Sequence, residues 1–421
     1  METKNDGARY SDVFLRLDAL KEPREGRELT KSRERAAIAA QSDDPVYLGA
    51  GYYDHLIPTQ AERLVAEIEF HRQSSRLSAL IGRDFEDALN GCNAAVRRLT
   101  GASHAEISVY CGGSALCRGA TLASRATGRR LILASESLGA PRLAELCAAA
   151  SAASLEVRAV ESRNGLVDVN ALRKTLYTEG DRVAATIVGY PNFYGLLERL
   201  GQISESVKAI GALLMLTVDP VALAALRSPA DWGADITVCD AHTAPIHSSE
   251  GDARLGFIAC SDYFFKATSS VDVFRTLRDD EMKGARMRGA LRTLAHLAYT
   301  EPQELRRVSE RSRRAAQYAR QSLLEAGFRF QHEAPFWREF AVKTRDPKGM
   351  LAYLDKWGIV GGYELPDGIL LAFTEKRSVD EIDELVYFMK RFEFEEGRES
   401  SLTRVCKSFI RKDEEELVKD L

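Results

Sequence analysis

From about residue 105 to residue 260 the chain alternates short β-branched runs with helical stretches, and this alternation limits the possible folds more than any other feature. "RRLILAS" reads as a strand, "SLGAPRLAELCAAASAA" as a helix and "LEVRAVES" as a strand. "VDVNALRKTLY" is a helix with an acidic start, "VAATIVGY" a strand and "ISESVKAIGA" a helix. "LLMLTVD", "ADITVCD" and "LGFIACS" are three further strands. Short connections between strand and helix predict a largely parallel sheet covered by helices on both faces. Ligands of such sheets gather beyond the carboxyl ends of the strands. "GYPNFYG", "VDP" and "DAHTAP" each follow a strand, so the pattern predicts that they share one edge.

The pattern changes at about residue 280. "MRGALRTLAHLAY" and "QELRRVSERSRRAAQYARQSLLEAGF" read as long helices, the second stopped at Gly327. "REFAVKT", "KGMLAYLDKWGI", "GGYEL", "GILLAFT" and "SVDEIDELVYFMKRF" then read as strand, helix, turn, strand and helix. The expected division is a helical arm over 1–45, a large domain over 46–278, a small α/β domain over 279–392 and a charged helical tail over 393–421. "VYLGAGYYDHLIPTQ" is rich in glycine and aromatics and reads as an irregular loop.

Composition narrows the function classes. With 421 residues, 45% apolar and 29% charged, the chain has ordinary globular make-up. A net charge of −4 offers no basic excess for nucleic acid. The longest apolar run is broken by Asp219 and Pro220, so no membrane span is expected, and the amino terminus has no apolar signal core. A cytoplasmic location is the default expectation. Seven cysteines without C-x-x-C spacing suit reduced thiols, and the dispersed histidines predict no metal site; His242 and His247 are five apart in a loop.

Four motifs carry a resemblance. "YLGAGYYDHLIP" (47–58), "YPNFYGLLE" (190–198), "VDPVAL" (218–223) and "GGYEL…LLAFTEKRSVDEIDEL" (361–385) resemble the glycine decarboxylase of the glycine cleavage system. More narrowly, they resemble subunit 1 of its two-subunit form, over about residues 45–392. The first and last motifs in this order are specific; "VDP" alone would be weak.

The resemblance implies a pyridoxal-phosphate-dependent transferase fold of the aspartate aminotransferase type. It implies a lysine-bearing subunit 2 as partner in a heterotetramer, with pyridoxal phosphate on that partner and a lipoylated H-protein as acceptor. It also implies that the Schiff-base lysine is missing here. In "DAHTAPIHSSEG" (240–251) His242 is followed by Thr243, and a hydroxyl cannot form an imine. No lysine lies between Lys208 and Lys266, and "SDYFFK" reads as a surface helix or turn.

The remaining candidates each have a functional and a structural reading. In the shared fold Asp219 would face a pyridine nitrogen; alternatively it caps the helix that opens with Pro220, the reading favoured here. Gly112, Gly113 and Ser114 in "VYCGGSALCRGA" could cradle an anion, or form a tight strand-to-helix turn. Asp54 and His55 could line a cleft shared with the partner, or lock their own loop; Asn192 and His242 are further cleft-lining candidates. Two segments, "QSSRLSALIGRDFEDALNG" and "LRDDEMKGARMRGA", keep almost nothing of the family pattern. A subunit 1 role leads, followed by a diverged scaffold or regulatory homologue, and then by a free-standing lyase or aminotransferase with a relocated lysine.

Overall fold

In the computed structural model, which describes residues 46–48, 90–110, 115–241, 254–268 and 300–393, burial separates the central strands of the large sheet from its edge. β7 (Val183–Tyr190) and β8 (Leu213–Val218) are buried at every position. β3 (Leu131–Ser135) is likewise buried throughout, whereas β4 (Glu156–Val160) is buried only at its last residue. Uninterrupted apolar runs are what a strand covered on both faces requires, and β4 is the sheet edge.

The sheet has seven strands in the order β2-β10-β9-β8-β7-β3-β4, with β2 at His104–Tyr110, β9 at Ile236–Ala241 and β10 at Arg254–Cys260. β9, β8, β7, β3 and β4 run parallel, and β10 is antiparallel to both β9 and β2. On one face Leu214, Leu216, Val188 and Phe257 pack with Leu172 and Leu176 of α4 (Val169–Glu179) and Ile203 and Val207 of α5 (Leu200–Lys208). The helix over 90–100, α1, adds Cys92 and Val96 to that face. On the other face Met215, Val238 and Ile187 pack with Leu116 and Ala120 of α2 (Ala115–Thr127) and Leu146 of α3 (Ala140–Ala152). Gly119 of α2 permits the approach: a Cβ there would stand 2.6 Å from Cε of Met215.

A second core belongs to the carboxy-terminal unit. β14 (Gly368–Ala372) pairs antiparallel with β11 (Glu339–Lys343) and with β13 (Tyr363–Leu365). Ala316, Ala319 and Leu323 of α8 (Pro302–Glu325), Leu354 of α9 (Pro347–Asp355) and Leu385 and Met389 of the helix over 379–393, α10, close over this sheet.

Two segments depart from expectation. Val46–Leu48, expected in a loop, forms β1 and runs parallel to β12 (Ile359–Gly361), with Val46 opposite Ile359. "GGYEL", expected as a turn, instead carries the chain from β12 to β13. Gly362 makes the change of sheet possible: its φ is +36°, and a Cβ would meet the Leu370 carbonyl oxygen at 2.1 Å.

Candidate functional site

The loop that leaves β7 is built around one amide. Beyond the cis peptide between Tyr190 and Pro191, Asn192 is buried and every bonding position of its side chain is used. Its Oδ1 accepts the N–H groups of Tyr194 at 3.0 Å and Leu196 at 3.1 Å. Its Nδ2 donates to the Gly165 carbonyl and to Oε1 of Glu198, both at 2.8 Å. Asn192 is thus the hub of "YPNFYGLLE", and its neighbour in the bond network is an acid that the sequence reading did not single out.

Glu198 is 2% exposed. Oε1 also accepts the Ser137 hydroxyl at 2.7 Å, and Oε2 accepts the Val167 N–H at 3.0 Å. Burial pushes its carboxyl above the ordinary glutamate range, and the bonds from Asn192, Ser137 and Val167 oppose that shift. These contacts gather the ends of β3 and β7 and the hairpin of β5 (Ser162–Arg163) with β6 (Leu166–Val167). The hairpin turns at Asn164 and Gly165, with φ of +54° and +77°. An Asn-Gly pair between short extended runs is a readable hairpin signal, and the sequence reading missed it.

The same loop reaches the carboxy-terminal unit. The backbone N–H of Trp337 donates to the Gly195 carbonyl at 2.8 Å, and that of Leu197 to the Pro335 carbonyl at 3.0 Å. Gly195 has a φ of +75°, and a Cβ there would stand 2.2 Å from the Glu339 carbonyl oxygen. Beside this contact lies a buried ion pair. Nη2 of Arg338 is 3.0 Å from Oδ2 of Asp219, and the two side chains are 1% and 7% exposed. Nε of Arg338 is 3.0 Å from Oε1 of Glu339. The Arg313 guanidinium lies over the Trp337 ring, 5.6 Å from its centroid.

Asp219 is therefore fully engaged. Its Oδ1 accepts the N–H groups of Val221 at 2.8 Å and Ala222 at 3.3 Å, capping α6 (Pro220–Leu223). Of the two readings of Asp219, the structure shows the cap and adds a guanidinium partner over a hundred residues away, which no local pattern signals. A carboxylate whose charge is met in this way does not fit the protonated ring nitrogen of a coenzyme.

The lysines nearest in sequence to Thr243 fit no better. Lys208 ends α5, and Lys266 is exposed on α7 (Asp262–Ala267), paired with Asp262. Asp54, His55, Gly112, Gly113, Ser114, His242 and Thr243 lie outside the described residues. Among the described residues no cluster of histidine, cysteine, aspartate and glutamate could hold a metal ion, and no helix is long and apolar enough to cross a membrane.

Comparison with known proteins agrees with this architecture. The family model for the glycine cleavage system P-protein matches residues 13–269. "Probable glycine dehydrogenase (decarboxylating) subunit 1" of Syntrophomonas wolfei is 31% identical, across 91% of this chain and 93% of its own length. The protein of the same description from Listeria monocytogenes is 30% identical, across 87% of this chain and 88% of its own length. A crystal structure of glycine decarboxylase (P-protein) of the glycine cleavage system, in inhibitor-bound form, superposes with a TM-score of 0.69 at 26% identity, covering 89% of this chain and 91% of that one. An alanine–glyoxylate aminotransferase from Nostoc has a TM-score of 0.58 at 16% identity, covers 92% of this chain and 99% of that one, and shares the fold alone. The fold is that of the pyridoxal-phosphate-dependent transferases. The chain belongs to the glycine cleavage system P-protein family, on the side of its subunit 1 sequences.

Proposed function

We propose that this chain is the half of a glycine dehydrogenase (decarboxylating) that carries no Schiff-base lysine, and that it completes a partner's site. The observation that carries this reading is the pair His242–Thr243, just after β9, with no lysine between Lys208 and Lys266. A primary amine is needed to hold a coenzyme aldehyde and to release it to a substrate amine, and a threonine hydroxyl does neither. The engagement of Asp219 by Arg338 supports the same conclusion at the coenzyme's other end.

On this reading pyridoxal phosphate resides on a lysine-bearing subunit 2, a lipoylated H-protein accepts the product group, and the assembly is a cytoplasmic heterotetramer. This chain alone is inactive. Its own residues shape the cleft: the Asn192–Glu198 network fixes the loop after β7, and the Asp219–Arg338 pair ties that edge to the carboxy-terminal unit. Asp54, His55, Gly112, Gly113, Ser114 and His242 are the cleft-lining candidates to test by substitution. The chain divides at about 45, 278 and 392 into arm, large domain, small domain and tail.

A second reading is favoured by one feature, the unusual "QSSRLSALIGRDFEDALNG" (73–91): a scaffold or regulatory homologue with no role in turnover. Reconstitution separates the two. Purified chain, a subunit 2 and lipoylated H-protein are mixed, and exchange of labelled bicarbonate into glycine is followed. Exchange that needs this chain supports the subunit 1 role. A stable complex without exchange supports the scaffold, and exchange by this chain without subunit 2 overturns both.

A further inference from the structure

Beside the Asn192–Glu198 network, at Leu166 and Val167, the two units form an open cleft of about 800 Å³. The β5–β6 hairpin and the amino-terminal turns of α4 and α5 form one wall, and residues 330–335 with the end of β11 form the other. Its size is in the range of pockets that hold small molecules, well above what a single inorganic ion fills.

The charge on its walls is uneven. Arg163, Arg173, Arg199 and Lys343 line it, against Asp168 and Glu333. Both acids already serve other groups. Oδ1 of Asp168 accepts the N–H groups of Asn170 and Ala171 as the cap of α4, and Glu333 acts electrostatically on Arg320, whose guanidinium lies over the Phe330 ring. Arg173 donates to a neutral hydroxyl, Oγ of Ser206, at 3.1 Å. Among the described residues neither Arg163 nor Lys343 has a carboxylate partner.

Several surface arginines elsewhere are matched by acids. Arg158 and Arg182 share Glu156 and Glu179, Arg306 pairs with Glu310, and Arg307 with Glu304. The whole chain carries −4, so an excess of cations in one concavity is local and does not follow from composition. Amides of Asn164, Gln202 and Gln331 complete the lining with donors suited to a polar body. The wall is also held in place: Nδ2 of Asn192 fixes the Gly165 carbonyl, and the His332 ring lies against Gly165 and edge-on to Tyr194 at 4.7 Å.

We propose that this cleft binds a small phosphorylated molecule, its phosphate group held between Arg163 on one wall and Lys343 on the other and its polar body by the amides of Asn164, Gln202 and Gln331. A guanidinium and an ammonium that line one cleft, neither paired with a carboxylate, suit a multiply charged oxyanion, for which arginine supplies paired donors and lysine a point charge. The walls come from both units, so occupancy also joins them, and the ligand stabilises the folded chain further as its concentration rises above the dissociation constant. The reading is independent of the glycine decarboxylase role.

The test is calorimetric titration of the full chain with inorganic pyrophosphate and, separately, adenosine monophosphate, alongside thermal melts with each probe. The expected result is saturable one-to-one binding that raises the melting temperature and weakens as salt is raised. The double variant Arg163→Gln/Lys343→Gln loses at least tenfold in affinity, whereas Arg158→Gln, outside the cleft, binds as the wild type does. Both positions of the double variant are exposed, so it should fold normally, and its unliganded melt checks this. Absence of saturable binding with both probes overturns the proposal. So does equal affinity in the double variant, or binding of a polyglutamate peptide but of neither phosphate compound.

Discussion

Replacing Arg338 with methionine removes the buried cation paired with Asp219, while keeping a long flexible side chain in the space. The guanidinium is 1% exposed and the carboxylate 7%, at 3.0 Å, so water does not screen the pair. In the variant Asp219 keeps the N–H groups of Val221 and Ala222 but loses the charge opposite Oδ2. Stranding one member of a buried pair costs about 3–5 kcal/mol, more than the pair itself contributes, because the remaining charge stays desolvated. Removing both charges in Asp219→Asn/Arg338→Met relieves the part of that penalty that belongs to Asp219, since an asparagine oxygen can still cap α6, while Glu339 lacks its guanidinium in both Arg338→Met variants and so cancels from the coupling. The two substitutions are therefore strongly non-additive, with a coupling of about 2 kcal/mol. Urea unfolding at fixed protein concentration, followed by two probes that separate the cores, gives all four corners of the cycle. A single Arg338→Met cost below about 1 kcal/mol, or additivity within about 0.5 kcal/mol, would refute the reasoning that this pair ties the strand edge to the carboxy-terminal unit.

Three other substitutions probe neighbouring features. Gly195→Ala introduces a Cβ 2.2 Å from a carbonyl oxygen at a φ of +75°, so a loss of about 3 kcal/mol or more is expected in denaturant melts; a change under about 1 kcal/mol would mean the loop moves freely from β11. Asn192→Ala leaves two N–H groups, the Gly165 carbonyl and buried Glu198 each short of a partner, for an expected cost of about 2–4 kcal/mol by the same assay. Glu106 on β2 is half-buried with neither carboxylate oxygen hydrogen-bonded, and burial lifts it to about 7 against the opposing charge of Arg118. The folded chain then holds this proton to higher pH than the unfolded chain, so stability falls as pH rises from the ordinary glutamate range to about 7 and is level above that. Discounted for solvent screening, the effect is about 1–2 kcal/mol, and Glu106→Gln should exceed the wild type by that amount at alkaline pH and match it near pH ~4. Parallel stability–pH curves for the two proteins would contradict the assignment.

The parts of the molecule that were legible in the sequence are those whose cause is local. β7 and β8 announce themselves because every residue is apolar or small, as double coverage demands. The Asp219 cap is readable because the next residue is a proline that can only open a helix. Gly327 marks the end of α8 by its φ of +97°. What escaped depends on residues far apart in the chain. β1 exists only because Ile359–Gly361 lies alongside it, and three residues of either strand carry no periodicity. Glu198 and Arg338 look like surface charges in sequence; their burial is decided by Ser137, Asn192 and Asp219, supplied by other elements. The Asn164–Gly165 hairpin is the exception, a local signal that was present and went unread.

The absence of an imine-forming amine is tested most directly by trapping with borohydride. The isolated chain, and then its complex with a lysine-bearing subunit 2, is equilibrated with pyridoxal phosphate, reduced and mapped by mass spectrometry. The account predicts no stoichiometric pyridoxyl adduct on the isolated chain, and in the complex a single adduct on the partner's lysine. A stoichiometric adduct on a lysine of this chain, Lys266 or any other, would contradict it.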